Sequence, residues 1–131
     1  MNFLVAGVDE AGRGSFLGPV FAGCVIWNDE INHPLLKDSK KITKKQRNEM
    51  RELITENAIA WSVSSVDNDY IDEFGILKAT MKAMNDSIVA LDIDVDELYI
   101  DGNYFRNETK FPFQCFVKGD SLYKCISAAS I

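Results

Sequence analysis

The sequence predicts an α/β domain in which a mixed β-sheet is flanked by helices. Two apolar runs near the start of the chain are typical of buried strands, and segments with strand and helix periodicity then follow one another. The chain has 131 residues, of which 47% are hydrophobic and 26% charged, as in one ordinary globular domain. We therefore expect residues 1–131 to form a single domain with helices packed on the sheet.

The first elements are two strands and a helix. Residues 3–9 and 19–27 are the strands, and because a short glycine-rich loop joins them we expect an antiparallel pair. The helix is expected to begin after Thr43, since Thr43 and Gln46 have the spacing of a capping box.

The rest of the chain is predicted from the same periodicities. The expected elements are a strand over 59–63, a short helix over 67–74, a longer helix over 76–91, strands over 98–101 and 113–117, and a final helix from Asp120. The longer helix has an apolar stripe that consists of Leu77, Thr80, Met81, Met84, Ile88 and Leu91.

The net charge of −6 argues against a protein that coats nucleic acid without specificity. The segment Lys37–Arg51 is different, because it holds seven basic and two acidic residues, a local charge of +5 against −11 for the remaining chain. Such a segment is either a solvated helix face or a surface that contacts phosphates, and the sequence leaves both interpretations open.

Targeting signals and disulfides are not indicated by the sequence. No apolar stretch approaches the roughly 20 residues of a membrane span, and the N-terminus lacks the basic start of a signal peptide. The cysteines Cys24, Cys115 and Cys125 form no CxxC pair and leave one unpaired in any disulfide scheme. We therefore expect reduced thiols, a cytoplasmic location and no membrane partner.

Acidic residues stand where two predicted strands end: Asp9 and Glu10 on the first, Asp101 on the fourth. Side chains alternate along a strand, so Asp9 and Glu10 converge only if the strand bends, which Ala11 and Gly12 would allow. Clustered carboxylates repel unless a cation lies between them, and all-oxygen ligands suit Mg²⁺ or Mn²⁺. Two such ions about 4 Å apart are the usual means of hydrolysing a phosphodiester. An isolated acid at a strand end is more often a solvated turn residue, so the pattern alone leaves both interpretations open.

Three other ligand motifs are rejected. Gly12 and Gly14 begin a GxGxxG pattern, but its last position is Leu17 and acidic residues precede it. The phosphate-loop sequence GK[ST] does not occur in the chain. The segment Asp92–Asp96 opens like a calcium loop, but Glu97 stands where that loop needs glycine.

Six ordered sequence blocks carry a resemblance to a known family. These blocks are GVDEAGRG, GPV, DSKK, ILKAT, YIDGN and VKGD…SAASI, and with them the chain resembles ribonuclease HII along its whole length. Arg13 favours the HII branch over the related HIII branch. The resemblance implies a ribonuclease H-like fold and a two-metal site for Mg²⁺ or Mn²⁺. It also implies an endonuclease that hydrolyses the RNA strand of RNA–DNA hybrids and incises 5′ of ribonucleotides embedded in duplex DNA.

The resemblance also implies roles for particular residues. These are Asp9, Glu10 and Asp101 in metal binding and catalysis, Gly12, Arg13 and Gly14 in reading the ribose 2′-hydroxyl, and Ser39, Lys40 and Lys118 in contacting the nucleic-acid backbone. Glycines allow the close approach of main chain to a sugar, and the 2′-hydroxyl distinguishes RNA from DNA.

The family continues beyond the position of Ile131 to a fourth metal-binding aspartate and a C-terminal region. We therefore expect a C-terminally truncated chain whose final helix exposes apolar residues and favours self-association. The missing fourth carboxylate leaves an alternative function, a catalytically inactive module that binds hybrids. In both cases the expected partner is an RNA–DNA hybrid or a ribonucleotide-containing duplex.

Overall fold

The computed structural model describes residues 4–11, 19–27 and 43–117 of the chain. In chain order its elements are strands β1 (Val5–Ala11) and β2 (Val20–Ile26), helix α1 (Lys44–Asn57), strand β3 (Ala60–Val66), helices α2 (Asn68–Phe74) and α3 (Ile76–Leu91), and strands β4 (Glu97–Asp101) and β5 (Phe113–Phe116). Every element that the sequence predicts within these ranges is present. The helix expected from Asp120 lies outside the described residues.

The strands form one mixed sheet in the order β3-β2-β1-β4-β5. β2 pairs antiparallel with both β1 and β3, which confirms the pairing expected for the first two strands. β1 pairs parallel with β4, and β4 pairs parallel with β5. Because β1 and β4 are parallel neighbours, their carboxyl ends meet at the same edge of the sheet.

The main core lies between α3 and one face of the sheet. It includes Ala6, Val8, Ala22, Cys24, Ile26, Leu98 and Ile100 from the strands and Ala79, Ala83, Met84 and Ile88 from α3. At the β3 side of this layer, Ser62 donates a hydrogen bond from Oγ to the carbonyl oxygen of Ser87. The sheet and α3 are therefore joined by apolar packing and by a buried polar contact.

The buried face of α3 contains most of the predicted stripe (Thr80, Met84, Ile88 and Leu91) and extends to residues outside it. Leu77 is 59% exposed, whereas Ala79 and Ala83 are completely buried. Small side chains let the helix approach the sheet closely, and the long Leu77 side chain is left at the helix margin. Leu77 is therefore the one residue of the predicted stripe that is exposed.

Two large apolar residues of β3, Trp61 and Val63, lie on the face of the sheet opposite α3. Trp61 and Val63 are 48% and 58% exposed, while the intervening Ser62 is buried against α3. The alternation therefore predicts the strand correctly but does not tell which of its faces contacts α3.

The predicted helix signals are confirmed. Thr43 Oγ1 accepts a hydrogen bond from Gln46 N (3.1 Å), and Gln46 Oε1 accepts one from Thr43 N (2.9 Å), which completes the capping box. Gly75 separates α2 from α3 at φ = +91°, a conformation that residues with a side chain rarely adopt.

Within the described ranges, no helix combines the length and apolar character needed to cross a bilayer. Cys24 and Cys115 both carry free thiols, and Cys24 is buried in the core.

Candidate active site

Asp9 and Asp101 are brought together by the parallel pairing of β1 with β4. The register matches Val8 with Ile100, so the next position along the two strands holds the two aspartates. Val8 and Ile100 face the α3 core, and side chains alternate, so Asp9 and Asp101 lie on the opposite face. The expectation from sequence that acids from two strand ends come together is therefore met for this pair.

The chain turns directly after Asp101. Gly102 adopts φ = +123°, and its N–H still donates a hydrogen bond to the Phe116 carbonyl oxygen (2.9 Å). A residue with a side chain is strained at this φ, so glycine is favoured at the position that ends β4. The local sequence Asp-Gly thus holds the carboxylate at the last position of the strand.

The electrostatics of the pair centre on Asp9, which is only 5% exposed. Its pKa is raised from the ordinary 3.8 to about 9; the largest cause is burial, followed by the charge of Asp101 and a hydrogen bond with that carboxyl. The charge of Glu10 raises this pKa further, and the hydrogen bond from Glu10 N to Asp9 Oδ1 (2.8 Å) lowers it. Without a cation, Asp9 therefore holds a proton at neutral pH.

Glu10 occupies a different register position from the pair. It is matched with Ala22 on β2, and Ala22 belongs to the α3 core. Among the residues that the structure describes, no three His, Cys, Asp or Glu side chains are grouped so that they could hold a metal ion. The two aspartates are thus adjacent, and the convergence of Glu10 with them stays a prediction.

An aromatic pair that the sequence analysis did not single out lies beside Asp101. Phe116 is the β5 partner of Asp101, and Tyr99 precedes Asp101 by two residues on the same face. The rings of Tyr99 and Phe116 meet edge to face with centroids 5.0 Å apart. Only the register of β4 with β5 reveals this neighbour, and register is not read from either strand alone.

The other residues proposed from sequence cannot be placed against the pair. Gly12, Arg13, Gly14, Ser39, Lys40 and Lys118 lie outside the described residues. In the described part of the basic segment, Lys44, Lys45, Arg47 and Arg51 are exposed on α1. Exposure fits both a solvated helix face and a phosphate-contacting surface.

The 3-2-1-4-5 sheet, with carboxylates at the ends of two parallel neighbours, defines the ribonuclease H-like class of α/β proteins. Residues 6–131 match the family model for ribonuclease HII, and the chain belongs to that family.

Relatives of known sequence and structure agree with this classification. The ribonuclease HII of Porphyromonas gingivalis is 44% identical over 125 residues, which cover 95% of this chain and 62% of that protein. The ribonuclease H2 of Pyrococcus horikoshii shares the fold at a TM-score of 0.81 and 24% identity, covering 97% of this chain and 68% of that one. The Archaeoglobus fulgidus ribonuclease HII, solved in complex with PCNA, superposes with a TM-score of 0.81 at 25% identity. The match covers 97% of this chain and 69% of that one. The chain thus spans less than two thirds of the curated P. gingivalis relative.

Proposed function

We propose that the chain carries the catalytic acids of a metal-dependent endonuclease that acts on RNA–DNA hybrids and incises 5′ of ribonucleotides embedded in duplex DNA. One observation carries the proposal: a buried aspartate, Asp9, is hydrogen-bonded to a second aspartate, Asp101, at the ends of two parallel strands. Membership of the ribonuclease HII family supports the choice of substrate.

The donor set of the pair fits Mg²⁺ or Mn²⁺. Both ligands are carboxylates, and neither Cys24 nor Cys115 is on the face that carries them, since both pack in the α3 core. When bound, such ions supply positive charge that polarises the scissile phosphate and stabilises the transition state. Asp9 and Asp101 would hold the ions, with Glu10 as a further ligand.

Because Asp9 is buried, its surroundings control both the ionisation and the orientation of its carboxyl group in the proposed reaction. A bound cation would favour the ionised form of the Asp9 carboxyl, because its positive charge would oppose the effect of Asp101 on the Asp9 pKa. The hydrogen bond from Glu10 N orients the Asp9 carboxylate, so the ligand is held before the substrate arrives.

Recognition of the substrate is proposed to use residues outside the described ranges. Gly12, Arg13 and Gly14 follow Asp9 closely in the chain, so their main chain would read the ribose 2′-hydroxyl beside the acids. Ser39, Lys40 and Lys118 would contact the nucleic-acid backbone. The exposed Lys44 on α1 continues the same basic segment.

The test is a duplex that contains one ribonucleotide, incubated with the protein and Mg²⁺ or Mn²⁺. We expect incision on the 5′ side of the ribonucleotide, leaving a 3′-hydroxyl and a 5′-phosphate, and loss of incision in Asp101→Asn. A matched control is Asp96→Asn, because Asp96 precedes β4 at its opposite end and accepts a hydrogen bond from Leu4 N. Equal incision of an all-DNA duplex, or equal loss in both variants, would contradict the proposal.

A second candidate function is a module that binds hybrids without cleaving them. It is favoured by the finding that no third carboxylate joins the pair within the described residues. It predicts that wild type and Asp101→Asn bind a hybrid equally and that neither cleaves it at any metal concentration. Binding should weaken steeply with salt and on replacing Lys44 by alanine. Metal-dependent incision by the wild type excludes this candidate.

A further inference from the structure

The segment that follows Asp101 runs along the α3 side of the sheet before it enters β5. Residues 102–112 contain neither helix nor strand. Phe105 is nevertheless buried in the core, and its ring meets that of Phe113 edge to face with centroids 5.3 Å apart. The side chain of Phe105 therefore anchors to the core a loop that begins directly after Asp101.

Asn85 of α3 binds the backbone of this loop with its whole side chain. It is 4% exposed; its Nδ2 donates to the carbonyl oxygens of Arg106 (3.0 Å) and Met81 (2.9 Å), and its Oδ1 accepts from Glu108 N (2.9 Å). The side-chain amide thus pairs with the carbonyl of Arg106 and the N–H of Glu108, which flank Asn107. A neighbouring β-strand pairs with a chain in the same way.

Met81, one helical turn before Asn85, adds a third contact. Its sulfur accepts a hydrogen bond from Arg106 N at 3.3 Å. Residues four apart lie on the same face of a helix, so Met81 and Asn85 together hold three polar groups of the loop backbone: Arg106 N–H, Arg106 C=O and Glu108 N–H. We refer to these contacts of Met81 and Asn85 with Arg106 and Glu108 as the loop clamp.

The loop clamp is placed where it can act on Asp101. Between them lies Gly102 at φ = +123°, where a Cβ would meet nothing within 4 Å. The pairing of β4 with β5 fixes the backbone up to Asp101. After Asp101, the chain is held by the hydrogen bond of Gly102 N–H to Phe116 and then by the loop clamp. A loosened loop would leave the glycine free to change its torsion angles and to shift the carboxylate beside it.

We infer that Asn85 is a positioning residue for the Asp9–Asp101 pair, a role that rests on the proposed function. By fixing the loop, it keeps the Asp101 carboxylate in the orientation that a divalent cation requires. Groups outside the ligand shell that orient a ligand typically change metal affinity by about 10–100-fold, and an indirect contact belongs at the lower end of that range.

The test compares Asn85→Ala with Ser62→Ala in the 131-residue chain. Asn85→Ala deletes two hydrogen bonds between α3 and the loop, and Ser62→Ala deletes one between α3 and β3, which lies two strands from β1. Mn²⁺ binding is followed by loss of the electron paramagnetic resonance signal of the free ion, and melting temperature is recorded in chelator. We expect both variants to melt earlier than wild type, Asn85→Ala to bind Mn²⁺ about 10-fold more weakly, and Ser62→Ala to bind within about twofold of wild type.

The outcomes separate this inference from the proposed function. A wild type that binds no Mn²⁺ overturns both. A wild type that binds Mn²⁺, together with an Asn85→Ala variant that binds it as well as Ser62→Ala does, overturns the positioning role alone. Weaker Mn²⁺ binding confined to Asn85→Ala supports the positioning role. Both variants are expected to melt earlier than wild type, so loss of stability alone does not explain weaker binding in only one of them.

A measurement on the wild type covers the case in which Asn85→Ala does not fold. Coupling between two sites is reciprocal, so a cation at the pair should stabilise the loop clamp. We expect saturating Mg²⁺ to slow hydrogen exchange of the Glu108 amide, the donor to Asn85, by about the same factor of 10. An exchange rate at Glu108 that Mg²⁺ leaves unchanged would overturn the inference.

Discussion

The carboxyl groups of Asp9 and Asp101 are hydrogen-bonded to each other at the ends of two parallel strands, and the Asp9 group is almost completely buried. Two acids in such contact carry either a shared proton or a cation. The Asp9 pKa of about 9 describes the first state, and the proposed function requires the second. The predictions below distinguish these states and relate them to catalysis.

Removal of one charge from the pair should abolish incision. Asp101→Asn keeps the size of the side chain but deletes a carboxylate ligand, so we expect the incision rate to fall by more than about 100-fold, the upper end for residues that only orient ligands. The same substitution removes two causes of the raised Asp9 pKa, so that pKa should fall. Single-turnover incision and a titration of Asp9 by carboxyl-carbon NMR check the two effects; an unchanged Asp9 pKa would mean that the acids are not in contact in solution.

The pH dependence of stability should reveal the proton on Asp9. Its folded-state pKa of about 9 lies above the ordinary 3.8, so the folded protein binds this proton more tightly than the unfolded chain. The proton on Asp9 therefore makes its full contribution to the free energy of unfolding below pH 3.8, and this contribution is lost as pH rises towards about 9. The side chain of Asp9→Asn cannot ionise. In chelator, the free energy of unfolding of this variant should therefore rise relative to that of wild type by at most about 1.4 kcal/mol for each pH unit across this range. Denaturant unfolding at several pH values measures this difference, and parallel curves for the two proteins would contradict the prediction.

Divalent cations should stabilise the fold through the pair. With a dissociation constant near millimolar, about 10 mM Mg²⁺ or Mn²⁺ would add roughly 1.4 kcal/mol to the free energy of unfolding at neutral pH. The gain should grow with pH, because the cation binds the ionised form of Asp9. Thermal melts with and without metal test this in wild type and Asp9→Asn. A metal-induced shift of the same size in both proteins would place the binding elsewhere.

Much of the fold follows from local sequence. The glycine-rich loop predicts the β1–β2 hairpin, the Thr43–Gln46 spacing predicts the start of α1, and Asp-Gly predicts the end of β4; the structure confirms each. The face of β3 that contacts α3 was not predictable, because Trp61 is as compatible with one face as with the other. That choice depends on the register between strands, which no single strand encodes.

The candidate site was predictable only in part. The resemblance to ribonuclease HII pointed to Asp9 and Asp101 as candidate site residues, and their contact depends on the parallel pairing of distant segments. Asn85 was missed because a polar residue beside the apolar stripe of a helix is usually solvated; only the path of the loop after β4 explains its burial.

The glycine after Asp101 should matter more for metal binding than an equally constrained glycine elsewhere. Gly102→Ala and Gly75→Ala both introduce a side chain at positive φ, where neither Cβ would meet an atom within 4 Å. Both should therefore lower the free energy of unfolding by about 1–3 kcal/mol through backbone strain alone. Only Gly102→Ala should weaken Mn²⁺ binding, because Gly75 lies between α2 and α3. Chemical denaturation and Mn²⁺ titration check the two properties; equal Mn²⁺ affinity in both variants would show that Gly102 has no special role.

The most direct test of the account locates the cation itself. Crystals of the protein grown with Mn²⁺ can be examined at a wavelength where manganese scatters anomalously. The account predicts a manganese peak at about 2–2.5 Å from carboxylate oxygens of both Asp9 and Asp101, and no such peak in Asp101→Asn. A peak bound by other residues, or an Asp9–Asp101 pair that keeps its hydrogen bond in saturating Mn²⁺, would contradict the claim that these two aspartates form the metal site.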